Sequence, residues 1–200
     1  MIEAAKVAVL LLAAGRSERF GSDKLLATIA GEPVAVRTAG TLLSIEPGTR
    51  IAVCRGEGGL AARLEALGFE IAFNPDPARG LSSSLALGIE RAVKAGADAA
   101  LVALADMPFV THTHLSSLLR AFDSVEASIV ASTSGFVAMP PVLFDRRYFL
   151  QLRGEKGDVG ARDLLAGARL VPAHPDELAD IDRPEDMRRP ALKRSQEACR

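Results

Sequence analysis

Cysteine is nearly missing from this chain: Cys54 falls in an apolar stretch and Cys199 stands next to the carboxyl end, and these two are all. Thiols so far apart form neither a disulfide framework nor a metal-ligand set, and the chain is expected to work in a reducing cytoplasm. An excess of either charge is missing too. With 24 Lys and Arg against 25 Asp and Glu, the formal net charge is −1, so neither nucleic acid nor a membrane is an expected partner, and an anionic ligand must be held by local charge. The apolar run Val7–Ala14 is far too short to span a bilayer and lacks a signal-peptide layout. His112, His114 and His174 share no zinc-ligand spacing, and they are expected to be surface or capping residues. There is no nucleophile elbow for a Ser/His/Asp hydrolase, no Gly-Lys-Ser/Thr of a Walker A loop and no Gly-x-Gly-x-x-Gly fingerprint. Internal repeats and Pro, Gly or Ser-rich linkers are likewise missing. The expectation is one domain over residues 1–187, then a fraying basic tail over 188–200 in which Arg188, Arg189, Lys193, Arg194 and Arg200 face only Glu197.

What is present begins with Val7–Lys24. An apolar run ends in Ala13-Ala14-Gly15, and the composition then turns to Arg16, Ser17, Arg19, Gly21, Ser22 and Lys24. Small residues let a ligand approach the backbone, and loop N–H groups can point at anionic oxygens. Arg16, Arg19 and Lys24 add positive charge at the same place. The pattern reads as a phosphate cradle at the carboxyl end of a first strand, or else as an ordinary strand-to-helix loop with solvated charges.

Beyond it, Ile51–Cys54, Glu70–Phe73, Ala99–Ala105 and Ser128–Ala131 are continuous apolar runs of the buried-parallel-strand type. Between them Val34/Thr38/Leu42/Ile45, Leu60/Leu64/Leu67, Leu85/Ile89/Val93 and Leu115/Leu118/Leu119/Phe122 recur at helical spacing. Strands alternating with helices predict a Rossmann-like α/β chain, a three-layer α/β/α sandwich on a mostly parallel sheet.

Four further stretches carry chemistry. Asn74 to Ser84 opens a helix through Pro75, Pro77 and Gly80, and its serines read either as an elaborate cap or as hydroxyls offered to a ligand. Asp106 closes the strand at Leu104-Ala105 and must be paired, hydrogen-bonded or metal-bound if buried; it suits Mg²⁺, and equally a cap for a helix starting near Thr111. Asp180 and Asp182, one residue apart, project to the same side of an extended segment, while Asp182 alone reads as a cap for a helix starting at Pro184. Gly154 to Arg162 is a glycine-rich charged loop whose plain reading is a solvated turn.

Leu12-Ala13-Ala14-Gly15-Arg16-Ser17-x-Arg19-Phe20-Gly21-x-x-Lys24 resembles the L-A-A-G-x-S-x-R-M-G-x-x-K signature of the MobA-like nucleotidyltransferases, which include molybdenum cofactor cytidylyltransferase. Further matches follow in order to about Asp186: G-[LM]-S-x-S-L at Gly80–Leu85, L-A-D-M-P at Leu104–Pro108, G-D-x-G-A-R at Gly157–Arg162 and D-I-D-T-P-E-D at Asp180–Asp186, with Arg183 for Thr. The resemblance implies a nucleotide-diphospho-sugar transferase-like fold and transfer of a nucleoside monophosphate from an NTP to the phosphate of a molybdopterin-type cofactor. It implies nucleotide contacts from Leu12, Ala13, Ala14, Gly15, Arg16, Ser17, Lys24, Gly80, Ser82 and Ser83, and catalytic roles for Arg19, Lys24 and Asp106. Asp106 and Asp182 would hold Mg²⁺ (or Mn²⁺), and Lys156 and Arg162 would bind the acceptor. Ala13-Ala14-Gly15 resembles the cytidylyl branch, where the guanylyl branch carries Ala-Gly-Gly, so CTP is expected over GTP. A molybdoenzyme or its chaperone is a further partner the resemblance allows, and a monomer is expected. Met139-Pro140-Pro141 stands where the family has Gly-His-Pro, which keeps a different phosphorylated acceptor such as a sugar phosphate, or a non-catalytic nucleotide sensor or cofactor chaperone, as alternatives.

Overall fold

The structure is a computed structural model that describes residues 2–15, 20–21, 23–154 and 160–188. Arg16, Ser17, Arg19, Lys156, Cys199 and the tail beyond Arg188 lie outside the described residues, as does the side chain of Arg162.

The seven-residue run Val7–Ala13 forms the central strand, β1, and is buried along its whole length. Its side chains alternate between two cores: Val7, Val9, Leu11 and Ala13 face one and Ala8, Leu10 and Leu12 the other. A small antiparallel hairpin follows, β2 (Thr28–Ile29) and β3 (Glu32–Pro33), then helix α1 (Val34–Leu43) and β4 (Thr49–Cys54). Helix α2 (Gly59–Ala66), β5 (Glu70–Phe73), helix α3 (Leu81–Lys94), β6 (Ala99–Leu104) and helix α4 (His112–Ala121) complete the first part of the chain. The rest comprises β7 (Ile129–Thr133), β8 (Met139–Asp145), helices α5 (Phe149–Gly154) and α6 (Gly160–Leu165), and β9 (Arg169–Pro172).

The main sheet has seven strands in the order β5-β4-β1-β6-β8-β7-β9. β1 pairs in parallel with β4 on one side and β6 on the other, and β4–β5 and β7–β9 are also parallel. Residues of α1, α2 and α4 pack on one face, and residues of α3 and α5 on the other. This is the Rossmann-like α/β fold with a mostly parallel sheet. The chain winds outward from β1 through β4 to β5, then crosses to β6 on the opposite side of β1. The reversal opens a crevice at the carboxyl ends of β1 and β6, where sheets of this kind take their ligands.

Three features depart from expectation. β8 runs antiparallel between β6 and β7, although its Met139-Pro140-Pro141 start looks like loop. Prolines cannot donate to a ladder, and the β7–β8 register accordingly breaks between Ala131 and Ser132, leaving them out of the pairing (the Pro140-Pro141 bond is cis). β9 is short, with a half-buried Val171 among exposed neighbours, so it lacks the apolar signal of the other strands. Val93 is 43% exposed, because Ala92, seven residues after Leu85 and so two turns along, takes the buried place on α3. Among the described residues no helix is long and apolar enough to cross a membrane.

Candidate active site

The crevice is a cleft of about 390 Å³. Leu12, Ala14 and Gly15 come from the end of β1, Leu104 and Asp106 from the end of β6, Lys24 and Leu25 from the turn before α1, and Pro77, Ala78, Gly80, Leu81 and Ser84 from the approach to α3. Ala13 and Ala14 are buried, and a Cβ placed on Gly15 would meet no described atom within 4 Å, so the space above it is open. Gly80, the residue before α3, has φ +87°, a conformation that favours glycine.

Asp106 is fixed from three directions. Its own carbonyl accepts from Ile181 N–H at 2.9 Å, and Ala105 N–H donates to the Leu12 carbonyl at 3.1 Å. The Thr38 hydroxyl of α1 reaches the Ala105 carbonyl at 3.1 Å. The cap of α4 is not Asp106 but Thr111, whose hydroxyl accepts from His114 N–H. Asp106 is thereby left for the cleft. Lys24 Nζ donates to its Oδ2 at 2.7 Å, whereas Oδ1 is buried and has no hydrogen-bond partner among the described residues. A buried carboxylate oxygen without a donor is costly, and it is the kind of atom a hard cation completes.

Asp182 arrives from the far end of the chain. Ile181 is fully buried in a small cluster with Ile29, Val34, Phe109 and Ala179. In an extended segment that anchor turns the residues on either side the other way. Asp180, Asp182 and Asp106 each bring a carboxylate oxygen, all within 4.8 Å of one another. At the start of the helical turn Pro184–Arg188, Asp186 accepts from the N–H groups of Asp182 and Arg183 at 3.0 and 2.9 Å. Asp182 Oδ1 accepts from Lys24 Nζ at 3.1 Å. Burial acts to lower the Lys24 pKa, but the Asp106 and Asp182 carboxylates outweigh it and hold the ammonium above the ordinary lysine value. Burial, and then the charges of Asp106 and Asp182, raise the Asp180 carboxyl above the usual aspartate range.

The approach to α3 is tied by a residue that sequence reading passed over. Asn74 is 3% exposed; its Nδ2 donates to the Ser83 and Ser84 hydroxyls at 2.9 Å each, and its Oδ1 accepts from Asp76 N–H. Ser83 donates to the Gly80 carbonyl at 2.8 Å, so it is a tie within the loop, and Ser82 is buried. Pro77, Ala78, Gly80, Leu81 and Ser84 are the members of this stretch that line the cleft. An Asn directly after a strand and before Pro-x-Pro was the available signal. A second hollow of about 210 Å³ adjoins the first, sharing Gly15 and Leu25 and formed by Cys54, Arg55 and Gly56–Gly59. Burial pushes the Cys54 thiol up to about 11, which leaves it protonated at neutral pH.

On the far side of Asp106, β8 begins at Met139, which packs against the core. His114, expected at the surface, is 4% exposed. Ser132 Oγ donates to the Pro141 carbonyl at 2.8 Å and therefore accepts from His114 Nε2 at 2.7 Å. His112 and His174 are exposed, as expected.

Residues 9–176 match the model of the MobA-like NTP transferase domain. The chain belongs to that family. It is 34% identical over 202 residues to the purine catabolism protein PucB of Bacillus subtilis (strain 168), covering 92% of this chain and 96% of PucB. The fold is shared with a nucleotidyl transferase from Methanothermobacter thermautotroptrophicus, Mth528, with a TM-score of 0.77, 24% identity, and 90% and 93% of the two chains covered. It is shared also with Rv0371c of Mycobacterium tuberculosis H37Rv in its complex with manganese, with a TM-score of 0.73, 22% identity, and 94% and 98% covered. The family is one of nucleotidyltransferases, and the acidic group at the cleft is able to hold a metal ion.

Proposed function

We propose that the protein transfers CMP, in preference to GMP, from the NTP to the phosphate of a molybdopterin-type cofactor. The acceptor phosphate oxygen forms a bond to the α-phosphorus, the bond from that phosphorus to the β-phosphate oxygen breaks, and pyrophosphate leaves. The observation that carries the reading is the buried Asp106 Oδ1 without a donor, set beside Asp182 at the switch point of an NTP transferase sheet. Asp106 and Asp182 are the residues that would hold Mg²⁺ or Mn²⁺, and Asp180 stands within reach. When bound, such an ion neutralises phosphate charge and favours pyrophosphate as leaving group.

The chain's own residues position and neutralise. The small side chains of Ala13, Ala14 and Gly15 admit the polyphosphate to backbone N–H groups, and Lys24, with Arg16, Ser17 and Arg19 in the same loop, supplies the positive charge there. Gly80 and Ser84 face the cleft where the nucleoside would lie, on a loop held in shape by Asn74. Ser83 ties that loop through the Gly80 carbonyl, and Ser82 stands buried beside it at the start of α3. Lys156 and Arg162 belong to the acceptor side in this reading, as does the segment Met139-Pro140-Pro141. The name of the Bacillus relative connects that protein with purine catabolism, so delivery of the modified cofactor to a molybdoenzyme of purine breakdown, or to its chaperone, is part of the reading. A different phosphorylated acceptor is the second reading, favoured by the replacement of Gly-His-Pro.

Pyrophosphate release with Mg²⁺ and each of CTP, GTP, ATP and UTP, with and without molybdopterin-type cofactor, tests both. Release with CTP only in the presence of that cofactor is expected. Release that requires a sugar phosphate instead moves the function to the second reading, and nucleotide binding without release under any condition overturns catalysis.

A further inference from the structure

One ammonium stands between carboxylates that are also the residues proposed above for the metal. Lys24 Nζ lies 2.7 Å from Asp106 Oδ2 and 3.1 Å from Asp182 Oδ1. Its side chain is only 12% exposed and that of Asp106 17%, so this contact is poorly screened by solvent, whereas Asp182, at 43%, is the more exposed partner. Three carboxylates within 4.8 Å of one another repel, and the ammonium offsets that repulsion between Asp106 and Asp182. A divalent ion held between the two aspartates would share Asp182 Oδ1 with the ammonium and would stand against the Asp106 carboxylate whose Oδ2 the ammonium already holds, so the two cations would compete for one space. It cannot enter while a like charge sits there, because two cations a few ångströms apart at the rim of a protein repel by several times the thermal energy.

Lys24 also lines the cleft. A lysine carries its charge on a flexible four-carbon stem, so the ammonium can turn from the aspartates toward the cleft while the backbone stays in place. That turn leaves two carboxylates facing each other, and it is favourable only if an anion in the cleft receives the ammonium. A polyphosphate is such an anion.

We infer that Lys24 is a stand-in cation: in the free protein its ammonium holds the metal position between Asp106 and Asp182, and it yields that position when a nucleotide polyphosphate takes it up. The inference rests on the reading of Asp106 and Asp182 as metal ligands. Its consequence is a defined binding logic. The free protein binds a divalent ion weakly, and nucleotide and ion strengthen each other by the same factor, since coupling between two ligands is reciprocal.

The test is Mn²⁺ alone, titrated by isothermal calorimetry into the 200-residue protein without nucleotide and into Lys24→Met and Lys24→Gln, each checked for an intact thermal unfolding transition. A lysine that merely braces the aspartates predicts equal or weaker Mn²⁺ binding once it is removed. A stand-in cation predicts the reverse, with both neutral variants binding Mn²⁺ tighter than the wild type by about tenfold or more. That gain disappears when Asp106→Asn or Asp182→Asn is added. No gain in either Lys24 variant, while Asp106→Asn still weakens Mn²⁺ binding in the presence of CTP, overturns the stand-in role and leaves the metal site standing. A gain that survives both Asp→Asn changes, or Mn²⁺ binding with CTP that neither change weakens, overturns the metal site itself and the inference with it.

Discussion

The Lys24–Asp106–Asp182 group and the His114–Ser132–Pro141 group both stand near the carboxyl edge of the sheet, the first at the ends of β1 and β6, the second where β7 meets β8. The second is a closed relay: His114 Nε2 donates to Ser132 Oγ, and Ser132 donates to the Pro141 carbonyl. It bridges the register break that lets two prolines into an inner strand. The first group is open, with one ammonium among three carboxylates and a buried Asp106 oxygen left without a donor. A cluster that only supports the fold satisfies its own members. A buried carboxylate oxygen left without a donor costs stability, which a cluster serving the fold alone has no reason to give up.

The contrast breaks most sharply at Asp106. Asp106→Ala is expected to lower pyrophosphate release by about a hundredfold or more, roughly 3 kcal/mol of transition-state stabilisation. The melting temperature of the metal-free protein should hold or rise, because a buried oxygen without a donor is removed. Wild-type turnover in that variant would take Asp106 out of the site. Ser132→Ala reverses the pattern: it leaves the Pro141 carbonyl and His114 without their partner and should cost about 1–3 kcal/mol in urea unfolding, with turnover of the folded protein nearly unchanged. A stable Ser132→Ala protein that no longer turns over would move the relay into the active site.

Asn74→Ala falls between the two. It cuts loose Ser83, Ser84 and Asp76 together, and it should lower stability by about 1–2 kcal/mol while raising the KM for the nucleotide several-fold more than it lowers kcat. Steady-state kinetics at varied CTP would read that split. The smallest effect concerns pH. Burial lowers the pKa of His114 below the ordinary 6.5, against the opposing pull of Glu177. As pH falls through 6.5 the unfolded chain takes up a proton before the folded one does. The stability associated with neutral His114 is thus present above that pH and lost below it. His114→Gln should flatten the difference in melting temperature between about pH 7.5 and pH 5.5. An unchanged difference would assign the acid sensitivity to other groups.

Much of the fold was legible because its information is local. Val7–Ala13 read as a strand with the observed limits, since a strand buried on both faces must be apolar throughout, and Glu70–Phe73 did so as well although it is the half-exposed edge strand. The small residues Ala14 and Gly15 that line the cleft were legible because they follow an apolar strand directly. Asp106 was legible as a carboxylate ending such a strand, and Asp180 and Asp182 as a same-side pair. Other features had no local sign. Met139-Pro140-Pro141 hid a strand, because proline inside a ladder is tolerated only where register breaks, and that break belongs to β7. The ties of Ser83 and Ser84 to Asn74 had no local sign either, since they depend on where β5 leaves Asn74.

By itself the sequence determined the alternation of strands and helices, the two-faced β1, the small-residue loop after it and the candidate carboxylates, all of which depend on residues within a turn or two of one another. Only the tertiary structure decided that Asp180 and Asp182 meet Asp106, that Lys24 stands between Asp106 and Asp182, and that one oxygen is left without a donor. Those facts depend on the buried Ile181 pulling the end of the chain onto the end of β6 through the Asp106 carbonyl. Burial and the pairing of charges are set by which distant segments share a space, and spacing along the chain does not encode that.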